Sequence, residues 1–175
     1  MIDKILLAYD GSDNARRALD LAAELCVKCD VALWVVHVLM HGRPAEELVR
    51  MANAEHMVEE AHKAVSPGLS FAAGRSFDLF SASNDAANTA RVISAVGDQL
   101  LVFAKNRALE LGVKAVNTEA RNGDYADEIL GAADAVGADM IVIGSRGLGT
   151  LRGTVMGSVS QKVLHHASQA VLAVR

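Results

Sequence analysis

An apolar run, Ile141-Val142-Ile143, stops at Gly144 and gives way to Ser145-Arg146-Gly147-Leu148-Gly149-Thr150, with further glycines at 153 and 157 and a serine at 158. A helical pattern begins after Gly157-Ser158. A buried strand that feeds a glycine-rich loop into a helix N-terminus is the usual way for an α/β protein to hold phosphate. Glycine lets backbone N–H groups approach an anion, and the helix end adds unpaired donors and a partial positive charge. The spacing is Gly144, two residues, Gly147, nine residues, Gly157-Ser158. No Gly-Lys-Ser/Thr closes it, so it is not a Walker A loop. A dinucleotide fingerprint normally opens its domain and needs a ribose-binding acid about 20 residues later, in a following strand. Here only one helix and one short strand follow.

The rest of the chain alternates strand and helix. Lys4–Tyr9 is a short apolar run closed by Asp10-Gly11-Ser12-Asp13, a turn rich in helix-capping residues. Ala15, Ala18, Ala22 and Leu25 recur at helical spacing and predict a helix over about Asp13–Lys28. Val31–Val38 (VALWVVHV) reads as a second, central strand. Hydrophobic residues make up 51% of the 175 but aromatics only 4%. The core is therefore expected to be aliphatic, as suits parallel strands covered by helices on both faces.

Met40 to about Asn88 interrupts this order and is expected to be an insertion on the crossover after strand two. Within it, Pro44–Val65 predicts a helix stopped by Ser66-Pro67-Gly68, and Leu69–Asn88 holds no clear strand. A long helix follows over roughly Asp85–Leu111, with Ile93, Val96, Leu100, Phe103, Ala104, Ala108 and Leu111 facing inward. Val113–Ala120 alternates as a third strand, and Asn122-Gly123-Asp124 turns into a helix lined by Tyr125, Ile129, Ala132 and Val136. Met140–Ile143 is strand four, Gly157 to about Ala167 the last helix, and Ala170–Val174 strand five. The expectation is a single domain over residues 1–175, an open, doubly wound α/β fold.

Composition and spacing exclude several functions. A net charge of −4 without a Lys/Arg run argues against nucleic acid, and no apolar run approaches the ~18 residues of a membrane helix. Met1–Ile5 runs straight into a strand and does not resemble a signal peptide, so cytoplasm is the expected compartment. Cys26-Val27-Lys28-Cys29 forms a C-x-x-C, but at the C-terminal end of a predicted helix, where the dipole raises rather than lowers a thiol pKa. A second ligand pair for zinc is missing, so no metal site is assigned. His37 reads as a core or strand-end residue, and His165-His166 suits a helix C-terminus. No residue can be assigned as a catalytic base, so no catalytic residue is named. Asp10 and Ser158 serve equally well as helix caps or as ligand contacts.

Open parallel sheets bind ligands beyond the carboxyl ends of their strands, where strand order reverses. A doubly wound sheet that starts centrally makes strands one and four neighbours. Asp10 then lies beside the glycine loop, and the end of strand two forms a second wall.

Ile5-Leu6-Leu7-Ala8-Tyr9-Asp10-Gly11-Ser12, Val36-His37-Val38, Ala138–Gly147 and Gly157–Leu164, taken with the full Gly-x2-Gly-x9-Gly-Ser spacing, resemble the ATP-binding branch of the universal stress protein family. The resemblance implies an adenine nucleotide alpha-hydrolase-like fold, with five parallel strands in the order 3-2-1-4-5. It implies a homodimer joined through the last strand. It also implies ATP, with Mg²⁺ as its accompanying ion, bound by a regulator of stress response whose hydrolysis is slight or absent. Carried onto this chain, Asp10 falls on the ribose or metal side and Val38 meets adenine through its backbone. Gly144 and Gly147 shape the loop, Arg146 is placed to reach phosphate, and Gly157, Ser158, Val159 and Ser160 hold phosphate. The regulated protein is not named by the sequence. A weak ATP hydrolase of the same fold and a nucleotide-free interaction domain are the alternatives.

Overall fold

The computed structural model describes residues 2–39, 86–147 and 156–175. The expected helix Pro44–Val65 and nearly all of Leu69–Asn88 lie outside the described residues. In order, the elements are β1 (Lys4–Ala8), α1 (Asp13–Cys29), β2 (Ala32–Leu39), α2 (Ala86–Glu110), β3 (Val116–Asn122), α3 (Tyr125–Val136), β4 (Met140–Gly144), α4 (Ser158–His166) and β5 (Ala170–Val174). The chain divides into two compact units, Met1–Val38 with Leu100–Arg175, and Leu39–Gln99. Described residues of the second are Leu39 and the helical stretch 86–99, in which Ile93 and Val96 are half-buried.

The first unit is built on a parallel sheet in the order β3-β2-β1-β4-β5. Ile5 lies opposite Leu33 of β2 on one side and Met140 of β4 on the other, and Met140 in turn faces Ala170 of β5. The central strand β1 is buried on both faces, with Ile5, Leu6 and Leu7 each at most 1% exposed. Side-chain alternation sends Leu6, Ala8, Val36, Val38, Ile141 and Ile143 into one cluster with Ala126, Ile129, Ala132 and Ala133 of α3 and Val163 of α4. Burying an aliphatic side chain of this kind contributes about 1.5–3 kcal/mol, so the two covered faces supply most of the folding drive.

Local chemistry fixes the helix ends. Ser12 caps α1 by accepting from Ala15 N–H, and Asp30 ends the helix in the left-handed region at φ 56°. Asp124 caps α3 by accepting from Ala126 and Asp127 N–H, and Gly137, at φ 64°, ends it. The small inward residues of α1 (Ala15, Ala18, Ala22 and Ala23) let the helix lie close on the sheet.

Two expectations are corrected. The third strand begins at Val116 rather than Val113, because Val113 N–H donates to Ala108 O and still belongs to the α2 C-terminal turn. On α2, Leu100, Ala104 and Ala108 are fully buried, whereas Phe103 is 46% and Leu111 37% exposed. The buried stripe follows an i, i+4, i+8 line that Phe103 flanks, and Leu111 lies just past the helix end. Phe103 still stacks on Tyr9, with ring centroids 6.5 Å apart.

Candidate functional site

β1 and β4 are neighbours, and their chains leave in opposite directions, β1 through α1 to β2 and β4 through α4 to β5. The crevice beyond their carboxyl ends is the place where such sheets take ligands. The residues that meet there come from the two ends of the chain.

Asp10 lies two residues past the end of β1. Its Oδ1 accepts from Ser12 N–H at 3.0 Å, which turns the chain into α1. Its Oδ2 lies so near Gly147 that a Cβ on that glycine would stand 2.5 Å away. A side chain at 147 would therefore displace the Asp10 carboxylate, which comes from the other end of the chain. Ser12 adds a second link, its hydroxyl donating to Arg146 O at 3.3 Å. Gly144 meets different neighbours. A Cβ there would stand 2.9 Å from Ala15 N and 3.0 Å from the Asn14 carbonyl carbon, so this glycine lets α1 close on the end of β4.

Across residues 148–155, which lie outside the described residues, the chain returns at Gly157. Gly157 N–H donates to Ser145 O at 2.7 Å, and the Ser160 hydroxyl donates to the same carbonyl at 2.9 Å. The glycine segment is therefore closed at its base, and α4 starts beside the end of β4. Gly157 is the N-cap of α4; among the described residues no side chain caps that helix, and its first turn holds no acid. α1 and α3 differ in both respects, with side-chain caps and with Asp13, Asp127 and Glu128 in their first turns. The opening N–H groups of α4 therefore keep both their donors and the positive end of the helix dipole at the crevice.

The structure thus brings Asp10, Arg146, Gly147, Gly157 and Ser160 together, with Gly144 beneath them as a packing residue. Ser158 is exposed and Val159 half-buried at the first turn of α4. Val38 stands at the end of β2, past the last β1 partner in the ladder (Ala8 opposite Val36), with its side chain in the core. Arg146 is exposed and joins the cluster through its carbonyl oxygen. Sequence reasoning missed Asn14 and Ser145, which are linked by the Asn14 amide donating to Ser145 Oγ at 3.3 Å. The placement of Ser145 directly after Gly144 was the available signal. Its partners, 131 and 15 residues away, were not visible.

Nearby groups frame the site. Tyr9 is 2% exposed, and burial pushes its hydroxyl up to about 12, against the opposing pull of Arg16. His37 is buried beneath it, with Nδ1 2.8 Å from Tyr9 O. Lys162, one turn into α4, bridges to Asp124 at 3.0 Å and Asp127 at 2.9 Å, tying α4 to the start of α3. Lys162 in turn holds the Asp124 carboxyl below its ordinary value. The C-x-x-C pair is split, with Cys26 buried and Cys29 exposed, both free. Burial pushes the Cys26 thiol up to about 11.

A five-stranded parallel sheet in the order 3-2-1-4-5, with the N-terminus of α4 at its β1/β4 switch point, defines an open, doubly wound α/β fold. Comparison with known proteins makes the assignment specific. The model of the universal stress protein family matches residues 1–175, and the chain belongs to that family. It is 32% identical over 180 residues to the universal stress protein YxiE of Bacillus subtilis, covering all of both chains. Among solved structures, it is similar to a universal stress protein in complex with cAMP, with TM-score 0.62, 23% identity, and 99% and 97% of the two chains covered. It is also similar to the universal stress protein of Archaeoglobus fulgidus in complex with dAMP, with TM-score 0.58, 20% identity, and 100% and 98% covered. Among the described residues, no helix is long and apolar enough to cross a membrane.

Proposed function

We propose that this protein binds ATP at the β1/β4 crevice and works as a homodimeric, nucleotide-dependent regulator of stress response in the cytoplasm. The observation that carries the reading is the N-terminus of α4. It is capped by Gly157, without a side-chain cap or a first-turn acid, and lies next to Gly147 and Asp10. Phosphates take the N–H groups of Ser158, Val159 and Ser160, with Gly147 and Arg146 at the loop and Asp10 on the ribose side. Adenine lies against the end of β2 at Val38. Asp10 supplies a carboxylate oxygen of the kind Mg²⁺ takes, so the residues present fit a metal-bound triphosphate. Relatives of this fold in complex with cAMP and dAMP support an adenine nucleotide as the ligand class.

The dimer is proposed through β5. This strand lies at the sheet edge with β4 as its neighbour, and Val171, Leu172, Ala173 and Val174 are half-buried in the single chain. Such an apolar edge is a template for a second strand. Regulation follows if ATP is held more tightly by one arrangement of the loop than by another, since only differential affinity shifts a conformational balance.

The test is to denature freshly purified protein, identify any released nucleotide by chromatography, and titrate ATP with Mg²⁺ into emptied protein. Stoichiometric nucleotide or a saturable isotherm is expected. Steady release of ADP would instead make the protein a slow ATP hydrolase. Failure to take up any adenine nucleotide would refute the reading and leave an interaction domain.

A further inference from the structure

Ser145 is 2% exposed, and every polar group it carries has a partner. Its N–H donates to Val174 O at 2.6 Å, and its hydroxyl accepts from the Asn14 amide at 3.3 Å. Its carbonyl accepts twice, from Gly157 N–H at 2.7 Å and from the Ser160 hydroxyl at 2.9 Å. The first turn of α1, the end of β5, and the N-cap and first turn of α4 are thus fastened to one buried residue. Ser160 is equally buried, at 2% exposed. With its hydrogen on Ser145 O, the Ser160 hydroxyl offers only lone pairs to anything else, and an anion is repelled by lone pairs.

We infer that Ser160 and Ser145 are positioning residues for the anion end of the site. The Ser160 hydroxyl acts through the Ser145 carbonyl, fixing where the start of α4 lies beside Asp10 and Gly147, and does not itself contact phosphate. The inference rests on the nucleotide reading above and deepens it, moving one hydroxyl from contact to support. Its physical basis is the shared acceptor. Gly157 N–H and Ser160 Oγ clamp α4 to the same oxygen from the N-cap and from the third residue of the helix. Without the hydroxyl, one bond remains, and the first turn can pivot about it. Several N–H groups converging on one anion depend on their angles, since hydrogen bonds weaken steeply when misaligned. The adenosine end, on Asp10 and the end of β2, is held by other contacts and does not depend on this clamp.

The test uses the full chain as Ser160→Ala and Ser160→Thr. Calorimetry measures ATP and adenosine separately, and amide hydrogen exchange is followed by NMR on nucleotide-free protein. Ser160→Ala is expected to weaken ATP by about tenfold, the size of one lost hydrogen bond. Adenosine affinity should stay within about twofold, and Gly157 N–H should exchange faster than in wild type before any ligand is added. Ser160→Thr, which keeps the donor, should return both quantities towards wild type. Unchanged ATP affinity in Ser160→Ala overturns the inference. Equal losses for ATP and adenosine overturn it too, by pointing to a general defect of the fold. An ATP loss with unchanged Gly157 exchange means that the hydroxyl touches phosphate directly, and this also overturns it. A wild type that takes up no ATP refutes the nucleotide reading itself and removes the anion for which these residues are positioned.

Discussion

Alanine at position 144 tests how the site is assembled. Its Cβ would stand 2.9 Å from Ala15 N, 3.0 Å from the Asn14 carbonyl carbon and 3.1 Å from Asn14 Cβ. Two of those atoms are backbone of the first turn of α1, which the Ser12 cap and the Asn14–Ser145 bond hold in place. They cannot swing aside as a side-chain tip can. Comfortable contact needs about 3.5–4.0 Å, so α1 must retreat from β4 by roughly half an ångström or more. Overpacking of this kind destabilises by about 1–3 kcal/mol. In a chain of this length each kcal/mol lowers the melting midpoint by roughly 2–4 °C. Gly144→Ala should therefore melt about 2–12 °C below wild type. At Gly157 the balance reverses. Among the described residues a Cβ meets nothing nearer than Ser160 Oγ at 3.5 Å, which is ordinary contact, and φ is −78°. Changing the cap residue typically costs about 1 kcal/mol, hence roughly 2–4 °C. Gly157→Val should accordingly stay folded but lose ATP binding, because its branched side chain crowds the approach of the anion. Thermal melts followed by circular dichroism, with ATP calorimetry on the same samples, read both effects. A Gly144→Ala protein that melts with wild type would refute the close approach of α1 to β4. Unchanged ATP affinity in Gly157→Val would refute the phosphate assignment.

Three further outcomes follow from the groups around the site. Asp139 accepts from Asp3 N–H at 2.7 Å and Lys4 N–H at 3.0 Å, and these bonds hold its carboxyl below the ordinary range. A depressed folded pKa contributes stability that is present above the unfolded value and lost as pH falls through the folded one. The deficit of Asp139→Asn in denaturant melts should thus be full at pH 7 and shrink below about pH 4, and a deficit independent of pH would refute the charge-assisted role. Tyr9, raised to about 12, should ionise late in a spectroscopic titration of the native protein. Because the unfolded chain ionises first, near 10, stability should fall as pH rises from about 10 towards 12, and Tyr9→Phe should abolish that part of the loss. Native protein should react with a thiol reagent at Cys29 alone, and denatured protein at both cysteines, since Cys26 is 1% exposed. Two rapid equivalents in the native state would refute its burial.

The sequence alone determined those parts of the protein in which local pattern and burial coincide. Runs such as Ile5–Ala8 and Ile141–Ile143 are apolar on both faces and can only be central strands covered by helices. Ser12, Asp124 and Gly137 mark helix ends by chemistry that acts over a few residues. The glycine spacing after Gly144 placed the start of α4 at Gly157-Ser158, where the helix begins. Tertiary structure alone decided what each glycine meets. Gly147 makes room for Asp10, Gly144 makes room for α1, and Gly157 leaves a helix uncapped, which spacing cannot distinguish. It also decided the part played by Ser160, whose hydrogen goes to a carbonyl 15 residues back, and that of Ser145, which binds elements from both ends of the chain. Phe103 and Val113 were misjudged for the same reason. Periodicity fixes a helix face to within a turn and a strand to within a few residues, and the packing partner selects among the neighbouring positions.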